Sequence, residues 1–507
     1  MKIKKIISIV LILALLISTC STFVSAEYSI YKADKATLKD NTYIKGNDTA
    51  IIWVPGYRCT NLEANVDVNN DGVDEKVVTF AVGSEVFKQS EDYPFIINLL
   101  HGVGNLLISG AMILTAQLRK ESVHVSYDGG FGLADIYRSF FENCVKNYDD
   151  TCDVIVYDFD WRIDATIMVE DLYNVIKSQQ YKKVILVTQS MGGLIASGVS
   201  KLLWDDLQDS DTSNDVDVYT VNVGSTVLGG FGYFHNAKTF EGFDKISMDY
   251  VTYATEVDFP SRTQLAVPTQ VETLYGRKYA TAKIEKADGS VVYEDIAAED
   301  AFEAYKKICV NGNVYMQMMQ DFYDNYIFID NDNNPATEDV HIMEELGSKC
   351  YYISGLASDT PTHVQINFKE DANGSRTPVD CEAVRTDDSS LGDGSLTIES
   401  STMNGCSPET TFYVPYGHQS VYFHDDTQHL MYDIITHLVD NPAEKFDYTD
   451  TDYQYTEVYT KPQKVIGFES DNLLYPQIVK YILGLLGIQV TYEAARSFCH
   501  KLFSIIG

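Results

Sequence analysis

One short segment constrains the fold more than any other part of the chain. The aliphatic run Val184–Val187 leads into Thr188-Gln-Ser-Met-Gly-Gly193, and Leu194-Ile-Ala196 follow with the spacing of a helix. Small residues around a serine allow a strand to turn sharply into a helix while the hydroxyl stays at the tip of the turn. The segment therefore predicts a strand–turn–helix unit with Ser190 as a candidate nucleophile.

The rest of the chain favours the same class of fold. Short apolar runs alternate with segments in which apolar residues recur every three or four positions, which predicts a mostly parallel sheet flanked by helices. The predicted buried strands are 50–54, 154–157, 184–187, 218–223 and 350–353. The predicted amphipathic helices are 133–144, 164–177 and 427–439.

The first 26 residues have the pattern of a secretory signal peptide. Lys2, Lys4 and Lys5 precede an apolar run at 6–17, and Val24-Ser-Ala26 form a small-residue cleavage site. We therefore expect a secreted protein, cleaved after Ala26. The eight cysteines beyond this segment permit disulfides in an oxidising compartment, and spacing alone suggests the pairs Cys144–Cys152 and Cys381–Cys406.

Charge excludes one class of partner. The chain has 38 Lys and Arg against 73 Asp and Glu, a net charge of −35, whereas nucleic-acid binding needs clustered cations. The same balance argues against electrostatic docking on anionic membranes. No cofactor is expected, because the chain has no C-x-x-C or H-E-x-x-H motif. Calcium stays an open alternative at two acidic turns, 67–74 and 330–334, which are otherwise solvated loops.

Three segments fall outside the strand–helix alternation of a catalytic domain spanning 27–460. Residues 95–118 are strongly apolar with a narrow polar stripe, which indicates either a lid over an apolar site or an ordinary core helix. Residues 234–347 form a long, mixed stretch that we interpret as an inserted cap. Residues 461–507 are predicted to form a helical C-terminal extension.

A serine nucleophile needs a base, and the base needs an acid to orient it. Asp393 lies on a turn flanked by glycines and is the preferred acid, while Asp359 competes with it. His418, in a loop ahead of the helix 427–439, is the preferred base, and His424 is the second candidate. The order serine, acid, histidine along the chain is that of α/β-hydrolases.

Backbone N–H groups must stabilise the negative charge that develops on the attacked carbonyl oxygen. The residue after the nucleophile, Met191, supplies one such group. The loop after the first strand, at 55–58, supplies the other, and Gly56 allows close approach with Tyr57 as the donor.

In five blocks between 51 and 439 the chain resembles the lecithin:cholesterol acyltransferase family and its bacterial lipase and esterase relatives. The resemblance implies an α/β-hydrolase fold with Ser190 as nucleophile, Asp393 as acid and His418 as base. Thr188 and Gln189 stand where the family has glycine and histidine. The matching segments are Val54-Pro-Gly-Tyr57, Tyr157-Asp-Phe-Asp-Trp-Arg162, Thr188-Gln-Ser-Met-Gly-Gly193, Gly224-Ser-Thr-Val-Leu-Gly-Gly230 and Gly392-Asp-Gly-Ser395.

The expected activity is hydrolysis of ester-linked acyl chains, of the lipase, esterase or phospholipase type, on a lipid or other acyl-ester substrate. The segment 95–118 would then receive acyl chains or contact a lipid surface. Acyl transfer to an alcohol on the same scaffold, peptide or amide hydrolysis, and a catalytically inactive surface-binding protein are the alternatives.

Overall fold

The computed structural model describes somewhat more than half of the chain. The described residues are 43–57, 59, 61–66, 75–80, 123–126, 140, 143–148, 150–157, 159–208, 215–234, 260–308, 312–329, 340–356, 360–384, 392–418, 421–422 and 425–462, with the backbone alone at 61–66, 75–80, 123–126 and 312–313. The predicted signal peptide, the apolar segment 95–118, both acidic turns and nearly all of 461–507 lie outside them. So do Asp359 and His424.

The described strands and helices alternate along much of the chain. The strands are β1 Thr49–Val54, β2 Asn61–Val66, β3 Glu75–Phe80, β4 Val123–Ser126, β5 Cys152–Val156, β6 Lys183–Gln189, β7 Asp217–Val223, β8 Ala280–Glu285, β9 Val291–Ile296, β10 Phe328–Ile329, β11 Val340–His341, β12 Cys350–Gly355, β13 His363–Glu370, β14 Arg376–Val384 and β15 Thr411–Val414. The α-helices are α1 Ala165–Gln179, α2 Gly192–Gln208, α3 Pro260–Gln264, α4 Gln270–Tyr275, α5 Ala298–Ile308, α6 Gly312–Phe322, α7 Ile342–Leu346, α8 Ile398–Ser401 and α9 Asp425–Asp440. None of these helices is long and apolar enough to cross a membrane.

Six parallel strands form the central sheet, in the order β15-β12-β7-β6-β1-β5. Side chains that alternate along each strand enter two separate apolar cores, so Ile52 and Val54 pack on one face and Ile51 and Trp53 on the other. Helices α1 and α2 cover the first face, and α9 covers the second. Burial on both faces explains why these strands are continuous apolar runs.

The mostly parallel sheet with flanking helices, predicted from the sequence, is confirmed. All five predicted strands belong to the central sheet, and the predicted helices 164–177 and 427–439 correspond to α1 and α9. Of the predicted helix 133–144, only residues 140, 143 and 144 are described, and they are helical, as are 145–148. The edge strand β15 was not predicted.

A second sheet crosses the boundary that we predicted for the inserted cap. Its order is β14-β13-β8-β9, so two strands from within 234–347 pair with a hairpin that follows β12. The hairpin β13–β14 lies in the chain between β12 and the turn that carries Asp393. Two small sheets, β3-β2-β4 and β10-β11, complete the described strands.

The segment 453–459 covers the open edge of β15. Tyr413 and Tyr459 exchange two backbone hydrogen bonds of 2.8 Å. Asp426, at the start of α9, accepts hydrogen bonds from the N–H groups of Thr456 and Glu457 at 2.8 and 2.7 Å. The hydroxyl of Tyr416 donates to Glu457, which ties the loop after β15 to the same segment.

Neither disulfide suggested by spacing is present. Cys144 and Cys152 are buried free thiols, and burial raises the pKa of the Cys144 thiol to about 12. Cys381 lies in β14, opposite Ile366. Cys406, a free thiol, instead lies beside Tyr352 of β12. Cys152 is among the groups that raise the pKa of the Cys144 thiol, so these two thiols lie near each other without a bond between them.

A buried carboxylate organises the amino-terminal end of the central sheet. Asp153 is fully buried and accepts hydrogen bonds from the backbone N–H groups of Lys45, Gly46 and Asn47, from the side-chain amide of Asn47 and from the hydroxyl of Tyr181. The four bonds from residues 45–47 dock the incoming chain before β1 against β5, and the fifth comes from Tyr181, just ahead of β6. The carboxylate thereby fixes the register in which the sheet begins.

We expect Asp153→Ala to lower the free energy of unfolding by about 3 kcal/mol, because it leaves several donors without their charged acceptor. Asp150→Ala is the matched control, since that side chain is 93% exposed and makes a 3.6 Å ion pair with Lys45. Urea unfolding checks both variants. Equal stability of the two variants would contradict the assigned role of Asp153.

Candidate active site

Ser190 lies on a sharp turn between β6 and α2, as the sequence predicts. Its φ angle of 47° is left-handed, which is unusual for a residue other than glycine. The turn brings the next helix so close to β1 that a Cβ on Gly192 would lie 2.0 Å from the carbonyl oxygen of Val54. Only glycine fits there, so the small residues of the motif are a steric requirement of the turn.

Thr188 stands where the family that the chain resembles has glycine, and its hydroxyl makes two polar contacts. Its hydroxyl donates to the side-chain oxygen of Asn222 at 2.9 Å and lies 2.7 Å from the hydroxyl of Ser225. The N–H of Thr226 then donates to the carbonyl of Ser190 at 2.7 Å. The loop after β7 thus supports the serine turn through polar contacts on both sides of the nucleophile.

The loop after β1 lies directly against the serine. A Cβ on Gly56 would be 2.9 Å from the Cβ of Ser190, so the loop can approach this closely only with glycine. The N–H of Cys59 donates to the carbonyl of Gly56 at 3.2 Å, which closes a turn around Tyr57. The ring of Tyr57 packs edge-to-face on Trp161, with centroids 4.9 Å apart.

Trp161 is itself held in place by the segment around it. Asp160 and Arg162 form a buried bidentate ion pair, with nitrogen–oxygen distances of 2.9 and 2.7 Å. The Arg162 N–H donates to the same carboxylate at 3.0 Å. This compact turn presents Trp161, 1% exposed, as a rigid support for the loop that carries Tyr57.

Asp393 occupies the glycine-flanked turn predicted for the acid. One carboxylate oxygen accepts hydrogen bonds from the N–H groups of Ser395 and Leu396 at 2.9 and 2.7 Å. The side chain of Thr360 accepts the Gly394 N–H at 2.9 Å and so fixes the turn from outside. These contacts leave the second carboxylate oxygen of Asp393 to face His418.

His418 bridges Asp393 and Ser190. Its Nδ1 lies 2.7 Å from the second carboxylate oxygen of Asp393, and its Nε2 lies 2.9 Å from Oγ of Ser190. The backbone N–H of His418 also donates to the carbonyl of Asp393 at 2.7 Å. A carboxylate can only accept, so Nδ1 donates to it, and the Nε2 lone pair is directed at the serine hydroxyl.

The electrostatics around Ser190, His418 and Asp393 favour a basic imidazole at His418. His418 is 15% exposed and Asp393 is 1% exposed. Burial disfavours the imidazolium, but the negative charge of Asp393 and its hydrogen bond favour it by more, so the pKa of His418 is raised above its ordinary value. The imidazole is therefore well suited to accept a proton from Ser190.

The structure thus brings together all three residues that the sequence singled out as nucleophile, acid and base, together with the loops of Tyr57 and Met191. Two other histidines are engaged elsewhere: His429 stacks on Tyr453, and His437 bonds to the carbonyl of Glu444. The described part of the chain contains no cluster of three or more side chains suited to a metal ion.

Tyr422 is a further residue of the site that the sequence did not predict. Its hydroxyl accepts the Ser190 N–H at 3.1 Å and donates to the carbonyl of Gly224 at 3.1 Å. Both partners are backbone groups, which carry no side-chain signature. A tyrosine four residues after the candidate base was the available signal.

No family model and no curated protein matches the chain. Among solved structures, the crystal structure of the Tle4-Tli4 complex matches with 13% sequence identity and a TM-score of 0.42. The match covers 77% of this chain and 98% of that chain. A likeness at this level constrains neither fold nor function.

We expect Asp393→Asn to lower the pKa of His418 below its ordinary value, because the substitution removes the charge that raises it and leaves the burial that lowers it. Titration of isotope-labelled histidines by NMR checks the shift. Asp206→Asn removes a carboxylate near the far end of α2 and so controls for the change in net charge. It should leave the pKa of His418 unchanged. A pKa that does not fall in Asp393→Asn would contradict the assigned pairing.

Proposed function

We propose that this protein is a serine ester hydrolase of the α/β-hydrolase class, related in its catalytic arrangement to the lecithin:cholesterol acyltransferase family. The observation that carries the proposal is the continuous row Ser190 Oγ, His418 Nε2, His418 Nδ1 and Asp393, with successive hydrogen-bond distances of 2.9 and 2.7 Å. Ser190 follows β6, Asp393 lies on the turn reached after β12 and the β13–β14 hairpin, and His418 follows β15. The order along the chain is therefore serine, acid, histidine, as in α/β-hydrolases.

In the proposed first step, Oγ of Ser190 attacks the ester carbonyl carbon while Nε2 of His418 takes the hydroxyl proton. The carbonyl π electrons move to oxygen, which becomes the oxyanion of a tetrahedral intermediate. Asp393 stabilises the imidazolium through the Nδ1 hydrogen bond. When the intermediate collapses, the ester C–O bond breaks, the alcohol takes the proton from Nε2, and the acyl group stays on Ser190.

The second step regenerates the serine. Water loses a proton to Nε2 as its oxygen attacks the acyl-enzyme, and the released carboxylic acid leaves Ser190 with its proton restored. The proposed oxyanion donors are the N–H groups of Met191 and Tyr57. Met191 immediately precedes α2, where the helix dipole favours negative charge, and the loop of Tyr57 lies against Ser190 at Gly56.

We propose an ester of an apolar acyl chain, on a lipid or a smaller alcohol, as the substrate. The resemblance supports this choice, and so does the apolar segment 95–118, whose composition suits contact with acyl chains. Ser190 itself is 7% exposed. The proposal also includes export, on the basis of the basic, apolar and small-residue pattern of residues 1–26.

The proposed activity predicts hydrolysis of p-nitrophenyl esters by the mature protein. Ser190→Ala should lower kcat by roughly 10⁴-fold or more, because no other group can form the acyl-enzyme. Ser200→Ala is the matched control, since Ser200 is a fully buried serine on α2, the helix that follows the turn of Ser190. It should retain wild-type activity.

A series of acyl chains from two to sixteen carbons (roughly the span from esterase to lipase substrates) then assigns the substrate class by its optimum. Activity that persists in Ser190→Ala would contradict the assigned nucleophile. A wild-type protein that is folded but inert on every ester would contradict the proposed reaction.

A further inference from the structure

Tyr422 connects two sharp turns at the carboxyl edge of the central sheet. Its side chain is 2% exposed, and its hydroxyl lies between the Ser190 N–H and the Gly224 carbonyl, 3.1 Å from each. Both of these residues have left-handed backbones, with φ of 47° at Ser190 and 48° at Gly224. A single hydroxyl therefore satisfies backbone groups of the turns that follow β6 and β7.

These two backbone groups need such a partner. Ser190 lies one residue beyond β6 and Gly224 one residue beyond β7. The Gly224 N–H still donates to the carbonyl of Ile353 in β12 at 2.8 Å, and its carbonyl is the group that Tyr422 satisfies. A buried peptide group without a hydrogen bond costs about as much free energy as a lost hydrogen bond. The phenol of Tyr422 supplies an acceptor to one turn and a donor to the other.

Tyr422 belongs to the loop that carries His418. The N–H of Val421 donates to the carbonyl of Gly417 at 2.9 Å, which closes this loop on itself. The side chain of Gln428, on α9, donates to the carbonyl of Tyr422 at 3.2 Å. The loop therefore contacts Ser190 twice, through His418 at Oγ and through Tyr422 at the backbone nitrogen.

Burial, and then the nearby negative charge of Asp393, raise the pKa of Tyr422 well above its ordinary value. The phenol stays protonated at physiological pH, so its proton remains available to the Gly224 carbonyl. The bridge between the two turns is therefore constant over the pH range in which His418 would work.

We propose that Tyr422 is a positioning residue: its hydroxyl fixes the distance between Ser190 and His418 by holding the serine turn against the base loop. The inference rests on the function proposed above for those two residues. Misplacement of reacting groups by an ångström can cost about a hundredfold in rate. Loss of this one hydroxyl should therefore slow the chemical step while substrate binding is preserved.

The test compares Tyr422→Phe with Tyr181→Phe. Tyr181 is the matched control because it is 1% exposed and its hydroxyl donates to Asp153 at 2.9 Å, at the opposite end of the sheet. Tyr422→Phe loses two buried hydrogen bonds and Tyr181→Phe loses one, so both variants should melt at a lower temperature. We expect kcat to fall roughly 10- to 100-fold with KM unchanged in Tyr422→Phe alone. Equal kcat in Tyr422→Phe and Tyr181→Phe would overturn the proposal.

Amide hydrogen exchange provides a readout that does not depend on turnover. Exchange in a peptide containing residues 189–191 should accelerate at least about tenfold in Tyr422→Phe, because the Ser190 N–H loses its acceptor, and should not change in Tyr181→Phe. Unchanged exchange at the turn overturns the proposal whether or not the protein hydrolyses esters. If wild type is inert on all esters while exchange accelerates as expected, the proposed function fails and the coupling through Tyr422 stands.

Should Tyr422→Phe not fold, 3,5-difluorotyrosine at position 422 keeps the hydroxyl in place and weakens it as an acceptor. A smaller fall in kcat, again with unchanged KM, is then expected. Wild-type kcat with difluorotyrosine would overturn the proposal.

Discussion

The left-handed backbone of Ser190 is the constraint on which the arrangement of this site depends. A residue other than glycine in that conformation costs about 1–3 kcal/mol, so it persists only where neighbours hold it. Here the Thr226 N–H bonds to its carbonyl and the Tyr422 hydroxyl accepts its N–H. In this conformation the turn directs Oγ of Ser190 out of the sheet toward His418.

Parallel strands explain why residues so far apart in sequence meet. β6, β12 and β15 run in the same direction, so the loops at their carboxyl ends share one edge of the sheet. Backbone bonds then set the loops relative to one another, above all the bond from the His418 N–H to the Asp393 carbonyl. The side-chain row from Ser190 to Asp393 is thus built on a framework of main-chain contacts that substitution of a side chain leaves largely in place.

The parts of the fold that the sequence predicted are those with a local physical signature. A strand buried on both faces must be an apolar run, and the serine turn must be flanked by small residues, so the central strands and the turn were visible. The strand β15, Thr411–Val414, was not predicted, although all four of its residues are buried. The second sheet was missed because one of its edge strands, β9, is largely exposed and lacks a buried apolar face.

The residues of the candidate site divide in the same way, into those with a local sequence signature and those without one. Ser190, Asp393 and His418 stand in distinctive local surroundings, and the structure brings them into contact. Tyr422 could not be found in this way, because its partners are backbone groups that only the folded chain brings near. The disulfide pairs suggested by spacing are absent, because spacing along the chain does not report the geometry that a bond between two sulfurs requires.

The most direct test of the central claim is covalent labelling with an alkyl fluorophosphonate, located by peptide mass spectrometry. If His418 activates Ser190 as the geometry indicates, Oγ of Ser190 forms a bond to phosphorus, fluoride leaves, and the adduct maps to the peptide that contains Ser190. Labelling should disappear in Ser190→Ala and slow sharply in Asp393→Asn. A folded wild-type protein that forms no adduct, or forms it on another residue, would contradict the account.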